Sequence, residues 1–298
     1  MAKRLRYPTG VRPLLVEETA RRRSSESKIV SILERAGFAE VVLPIIDYVE
    51  PYAATGQIDG RQSYRFVDRD GELVSVRSDF TPLLARALAP SLQPSLLPLR
   101  VFYRGDVIRY APSRLGANRE IFQIGAEIIG DDTPAADAEA MGLVSSILRA
   151  FGISPRIIYT DATIPESIGG GAREALAMKR GGEGTSPLLA KLIAGSATTA
   201  DLRQSPETRA VAERLDAIAR LAGDDCSAHL DDVDAEPGYY TGLRFRAYDA
   251  ATRITLAQGG RYDSLYGRFG ADTPAVGFTL TIDDLTEGVP ARNDGGQA

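Results

Sequence analysis

Apolar and polar positions alternate most clearly between residues 119 and 130, Arg-Glu-Ile-Phe-Gln-Ile-Gly-Ala-Glu-Ile-Ile-Gly, which reads as a β-strand with two faces. Phe122, Ile124, Ala126 and Ile128 make a core face, while Gln123, Gly125 and Glu127 point the other way. A glycine between an amide and a carboxylate leaves room for something to lie across the strand. Those two polar groups suit a small ligand bearing an amine or a ring N–H. The other reading of such a strand is the solvated face of an antiparallel sheet.

The same periodicities organise the rest of the chain. Residues 14–36 read as a long helix with Ile29, Ile32, Leu33 and Ala36 as its stripe and Gly37 as its stop. Residues 37–47 have strand character that Pro44 demotes to an edge, a break or an interface. Short strands at 63–67 and 72–77 flank Asp68-Arg69-Asp70-Gly71, a hairpin signal. Pro82 opens a helix over Leu83–Leu88, and Asp79 and Thr81 stand where they either cap it or meet a ligand. A strand over 99–109 joins the two-faced strand through a loop, 110–118, carrying Arg114. That pair reads either as a cover for a phosphate-bearing ligand or as a surface hairpin. Thr133-Pro134 opens an amphipathic helix that runs to Phe151 and stops at Gly152. A strand follows at 156–160.

From 162 to 222 the texture changes. Glycines at 169–171 and 181–184 interrupt short helical pieces, and a longer helix closes the segment over 206–222. We read a helical insertion; its glycines match neither Gly-x-Gly-x-x-Gly nor a Gly-Lys-Ser/Thr phosphate loop. Strands resume at 238–248 and 254–257. Gln258-Gly259-Gly260-Arg261-Tyr262-Asp263 then reads as a glycine-dense turn where backbone approaches a ligand or another strand. Residues 275–282 are a last buried strand, and the Gly/Asn/Asp-rich tail, 288–298, is expected to be disordered.

Composition narrows the classes. At 298 residues, 44% hydrophobic and 25% charged, the chain is ordinary for a soluble globular protein. No apolar run is long enough to span a bilayer, and the charged N-terminus lacks the apolar centre of a signal peptide. One cysteine, Cys226, excludes an intrachain disulfide and fits a reducing cytoplasm. With His229 the single histidine, no zinc spacing exists. A net charge of −5 argues against non-specific nucleic-acid binding.

Five stretches, in order, resemble the catalytic core of histidyl-tRNA synthetase, a class II aminoacyl-tRNA synthetase. Leu43-Pro44 resembles motif 1, the dimer-forming motif of that family. Phe102-Tyr103-Arg104 through Arg119-Glu120-Ile121-Phe122-Gln123-Ile124-Gly125-Ala126-Glu127 resembles motif 2. Tyr239-Tyr240-Thr241-Gly242 and Gly259-Gly260-Arg261-Tyr262-Asp263 resemble the two histidine-specific segments, and Ala275-Val276-Gly277-Phe278 opens a motif 3-like element. The resemblance implies an α+β fold: a class II synthetase-like antiparallel sheet flanked by helices, built from 1–161 and 223–287, with 162–222 inserted. It also implies a histidine site made by Asp79, Thr81, Arg104, Gln123, Glu127, Tyr239 and Tyr240.

The departures are as informative. Where the synthetases carry an arginine before the paired tyrosines this chain has Ala235, and where motif 3 should end on arginine it has Asp284. Charge-stabilising contacts of that kind are worth about 10²–10⁵ in rate. Their loss implies no adenylation and no catalytic residues. No C-terminal anticodon-binding domain is recognised. Arg77-Ser78-Asp79-Phe80-Thr81 is similar to the Arg-x-Asp-x-Thr of the regulatory subunits of ATP phosphoribosyltransferase. Members of that family do no catalysis of their own. Membership implies a cytoplasmic chain, dimeric through motif 1, in a hetero-octamer with a short-form catalytic subunit. It would stimulate that subunit and relay inhibition by L-histidine, needing no cofactor or metal; tRNA is not an expected partner. The alternatives are a working histidyl-tRNA synthetase core and a synthetase-like tRNA- or protein-binding module.

Overall fold

The computed structural model describes residues 7–50, 63–110, 118–182, 184–232 and 239–287. Helix α1 (Val16–Arg35) buries Ile29 and Leu33, the stripe read from the sequence. Gly37 follows at φ +86°, a left-handed value that glycine adopts without steric cost. The chain then makes β1 (Ala39–Glu40), passes Pro44 and makes β2 (Ile46–Tyr48). Pro44 has no amide for a ladder, so the run is shared between two sheets instead of forming one strand. The smaller sheet is antiparallel, in the order β2-β4-β3, with β3 (Arg65–Val67) and β4 (Leu73–Val76) joined by the expected hairpin. Helix α2 (Thr81–Leu88) follows.

The main sheet carries β5 (Leu99–Ile108), β6 (Glu120–Ile129), β7 (Pro155–Asp161), β8 (Cys226–Ala228), β9 (Leu243–Asp249), β10 (Thr255–Arg261) and β11 (Ala275–Thr281). With β1 it makes eight strands in the order β1-β5-β6-β11-β10-β9-β7-β8. Pairing is parallel only at the two ends, β1 with β5 and β7 with β8. Helix α3 (Pro134–Ala150) starts where Thr133 accepts the amide of Ala136 and stops before Gly152 at φ +75°. Helix α9 (Ile282–Glu287) closes the described chain. This is an α+β architecture.

Two apolar clusters occupy opposite faces of the sheet. On one face Phe102, Phe122, Ile124, Ala126 and Ile128 pack against Ile29, Leu33 and Met141. On the other, Val101 and Tyr103 meet Phe80, Leu84, Tyr262 and Tyr266. The segment 162–222 holds α4 (Ile164–Ile168), α5 (Ala172–Ala177), α6 (Pro187–Ile193), α7 (Thr199–Arg203) and α8 (Arg209–Leu221). Its Leu189, Leu202, Leu215 and Ile218 join the first cluster, so these helices extend the layer of α1 and α3.

One sequence reading is corrected. Gly259 and Gly260 lie inside β10, paired with both β9 and β11, and not in a turn. Glycine is needed there because a Cβ on Gly259 would strike the Gly277 carbonyl and one on Gly260 would meet the Tyr240 ring at 2.6 Å. No helix among the described residues is long and apolar enough to cross a membrane. The tail 288–298, Arg114 and Ala235 lie outside the described residues.

Candidate ligand-binding site

Register builds the site. Glu127 stands opposite Val101 on β5 and Gly277 on β11, and Gly125 opposite Tyr103 and Thr279. Directly paired residues share a face, so Glu127, Gly125 and Gln123 share theirs with Tyr103 and Thr279. Gln123 is 7% exposed and Glu127 1%, so this is a buried polar floor and not a solvated face.

Arg104 is not part of that floor. It pairs with Ile124, which places it on the α1 face. There it donates from Nη1 to Glu26 at 2.6 Å and from Nε to Glu40 at 2.7 Å. Adjacent residues of a strand cannot face the same way, and Tyr103 holds the position expected of Arg104. The tyrosine ring lies over Gly125, where any Cβ would collide with it.

Glu127 is held by hydroxyls. Its Oε1 accepts from Tyr103 at 3.2 Å and from Thr81 at 3.3 Å, and its Oε2 accepts from Tyr262. Tyr103 also meets Thr279 Oγ1 at 3.2 Å. Burial pushes the Glu127 carboxyl up to about 8; the hydroxyls oppose the shift and the negative charge of Asp79 adds to it.

Asp79 enters at the start of α2, where its Oδ1 accepts the Thr81 amide at 3.0 Å. That bond turns the chain into α2, whose N-cap residue is Phe80 and has no side-chain cap, so Asp79 is not the helix cap; its charge acts on Glu127. Burial raises the Asp79 carboxyl, against the Thr81 amide and the charge of Arg109. Arg77 holds this corner: its Nε donates to Asp106 O at 2.7 Å, its Nη1 to Leu43 O at 2.9 Å, and its guanidinium lies 4.3 Å from the Phe80 ring centre. Phe80 in turn stacks on Tyr103 at 4.5 Å.

Tyr239 and Tyr240 complete the enclosure. Tyr239 stacks on Tyr262 at 5.6 Å and meets Tyr240 edge-on at 4.8 Å. Burial raises the hydroxyls of Tyr103, Tyr239 and Tyr262, so all three are neutral donors near neutral pH. Flat walls, two carboxyls and neutral hydroxyls suit a small planar ligand with N–H donors. Cys226 lies away on β8, its thiol pushed up to about 11 by burial and by Asp225, the state of an inert thiol.

The structure thus brings together Asp79, Thr81, Gln123, Glu127, Tyr239 and Tyr240, and leaves Arg104 outside. It adds Tyr103, Tyr262 and Thr279, and the charge of Arg109 acts on Asp79. Strand parity alone separates Tyr103 from Arg104, and Tyr262 stands two residues after the glycine pair that the sequence singled out. Nothing local marks Thr279 or Arg109.

Comparison with known proteins agrees with the architecture. The histidyl-tRNA synthetase family model matches residues 10–175 and 171–285. A solved ATP phosphoribosyltransferase regulatory subunit/histidyl-tRNA synthetase from Bacillus halodurans superposes with a TM-score of 0.82 at 22% identity, covering 96% of this chain and 84% of that one. A histidine–tRNA ligase subunit from Alicyclobacillus acidocaldarius gives 0.76 at 26% identity, covering 96% and 97%. Fold and family match define a class II synthetase-like protein of the histidyl branch. The ATP phosphoribosyltransferase regulatory subunit of Anaeromyxobacter sp. strain K is 31% identical over 98% of this chain and 94% of its own length. That of Geobacter sulfurreducens is 30% identical over 96% and 74%. The chain belongs to the ATP phosphoribosyltransferase regulatory subunit family.

Proposed function

We propose that this chain is the non-catalytic regulatory subunit of an ATP phosphoribosyltransferase, acting at the first step of histidine biosynthesis in the cytoplasm. It stimulates a short-form catalytic subunit and relays inhibition by L-histidine. The observation that carries the reading is near-full-length similarity to proteins named as that subunit, 31% over 94% of one of them. The buried site supports the effector part. The ligand's ammonium faces Asp79, its ring lies between the tyrosines against Glu127, and its carboxylate faces Arg109. Gln123, Thr81 and Tyr240 complete the contacts. Inhibition then requires that histidine bind two assembly states unequally.

Asp284 and Ala235, standing where the resemblance expects arginines, support a site without adenylation. On the small sheet exposed Ile46, Tyr48 and Phe66 share one face, with exposed Ile45 on its approach, an apolar patch suited to a homodimer contact near Leu43-Pro44, within a hetero-octamer.

The test is the rate of phosphoribosyl-ATP formation by the cognate short catalytic subunit alone, with this chain, and with both chain and histidine. Stimulation that histidine reverses is expected; a folded chain that changes nothing overturns the reading. Histidine-dependent ATP–pyrophosphate exchange should stay at background, and exchange above it would restore the synthetase reading.

A further inference from the structure

Among the described residues, the hydrogen-bond partners of the Glu127 carboxyl are neutral. Thr81 reaches it from α2, Tyr103 from β5, and Tyr262 from the residue after β10. Tyr266, in the 3-10 turn Tyr266–Phe269, also feels its charge, and Tyr239 closes the site above Tyr262. Thr279 of β11 reaches it only through the Tyr103 hydroxyl. A charged neighbour acting on Glu127 is a second carboxyl, Asp79, and the Arg109 charge acts on Asp79. The side chain is 1% exposed. A carboxylate this buried, among hydroxyls and beside another carboxyl, is better kept protonated than ionised.

We propose that Glu127 holds a proton in the ligand-free chain and passes it to the ring of the bound ligand, so that a neutral imidazole enters and is retained as imidazolium against the Glu127 carboxylate. This rests on the reading of the site as a histidine site. The proton leaves an Oε of Glu127 and arrives on a ring nitrogen; solvent supplies nothing and receives nothing. Two effects decide the transfer. Burial raises the carboxyl to about 8 and lowers the ring below its ordinary ~6.5, which together oppose transfer by at least about thirtyfold. Attraction between unit charges about 4 Å apart, at an effective dielectric constant of about 20, favours it by about a thousandfold. Asp79 and the faces of Tyr239 and Tyr262 add to the side of the cation. The site thus selects a ring that accepts a proton, a requirement that shape alone does not impose.

The test uses the intact chain and ring-15N-labelled L-histidine near pH 7.4, where free histidine is mostly neutral. The ring nitrogen shifts of the complex should be those of imidazolium. Calorimetry in phosphate and in Tris should give heats differing by under about 0.2 proton per ligand, because the proton is already stored. An ionised Glu127 would instead draw about 0.9 proton from the buffer. Glu127→Gln keeps the shape of the site without the proton, and should bind at least tenfold more weakly with its ring neutral. A neutral ring in the parent complex overturns the inference alone. So does a full proton of buffer dependence, or an imidazolium retained in the Gln variant. Absence of any histidine binding removes the effector reading and this inference with it.

Discussion

The carboxylate of Glu127 fills the space that a side chain on Gly277 would need. The two residues are paired across β6 and β11, and a Cβ built on Gly277 would overlap Glu127 Oε2. Gly277→Ala must therefore push the carboxylate off its hydroxyl partners. We expect at least a tenfold loss of histidine affinity, with an overpacking cost of about 1–3 kcal/mol. Calorimetric titration and thermal melting of the same variant measure both. Unchanged affinity would mean that Glu127 does not hold the ligand.

Glu127 also sets a pH dependence in the ligand-free chain. The fold keeps its proton up to about pH 8, whereas the reference value is 4.5. Between those values the folded state carries more protons, so this group's contribution to stability falls as pH rises, by up to about 1.4 kcal/mol per unit. Glu127→Gln lacks that slope. The variant's stability relative to the parent should rise by about 2–3 kcal/mol between pH 5.5 and 7.5, read from denaturant melts at stepped pH. A constant difference would show that Glu127 is already ionised in the fold.

Much of this architecture was legible from local pattern. Helices α1 and α3 and strand β6 follow from periodicity, and Thr133 from its place before Pro134. The polar floor of Gln123, Gly125 and Glu127 followed from alternation within one strand. What failed depended on neighbours distant in the chain. Gly259-Gly260 looked like a turn because local pattern cannot show that the Gly277 carbonyl and the Tyr240 ring crowd those positions. Arg104 was assigned to the floor by the resemblance; parity shows that Tyr103 and Arg104 diverge, but only the register with β6 shows which of them faces Glu127. The Tyr262–Glu127 contact spans 135 residues and leaves no local trace.

The far-face position of Arg104 has its own test. Glu26 is 4% exposed and depends on Arg104 and Arg23 for charge partners. Arg104→Ala should cost about 1–3 kcal/mol by leaving Glu26 under-satisfied. Histidine affinity should stay within twofold of the parent. An affinity loss of tenfold at unchanged stability would return Arg104 to the site.

The last prediction concerns how the floor is braced from behind. Arg261 is 2% exposed and Asp137 is fully buried. Arg261 Nε donates to Asp137 Oδ1 at 2.8 Å, and its Nη1 to Asp131 O and Asp263 Oδ1, each at 3.0 Å. Arg214 of α8 takes the other Asp137 oxygen at 2.6 Å, so one carboxylate ties β10, α3 and α8 together. Burial raises the Asp137 carboxyl while the two arginines hold it down. Removing Arg261 leaves a buried charge with Arg214 alone, and Arg261→Met should cost about 3–5 kcal/mol. Adding Asp137→Leu removes the orphaned charge, so the double variant should be more stable than Arg261→Met. Arg261 immediately precedes Tyr262, whose hydroxyl holds Glu127. The single variant should therefore also weaken histidine binding, and the double variant should recover stability without recovering affinity. Recovery of both would mean that the buried pair braces the fold without positioning Tyr262.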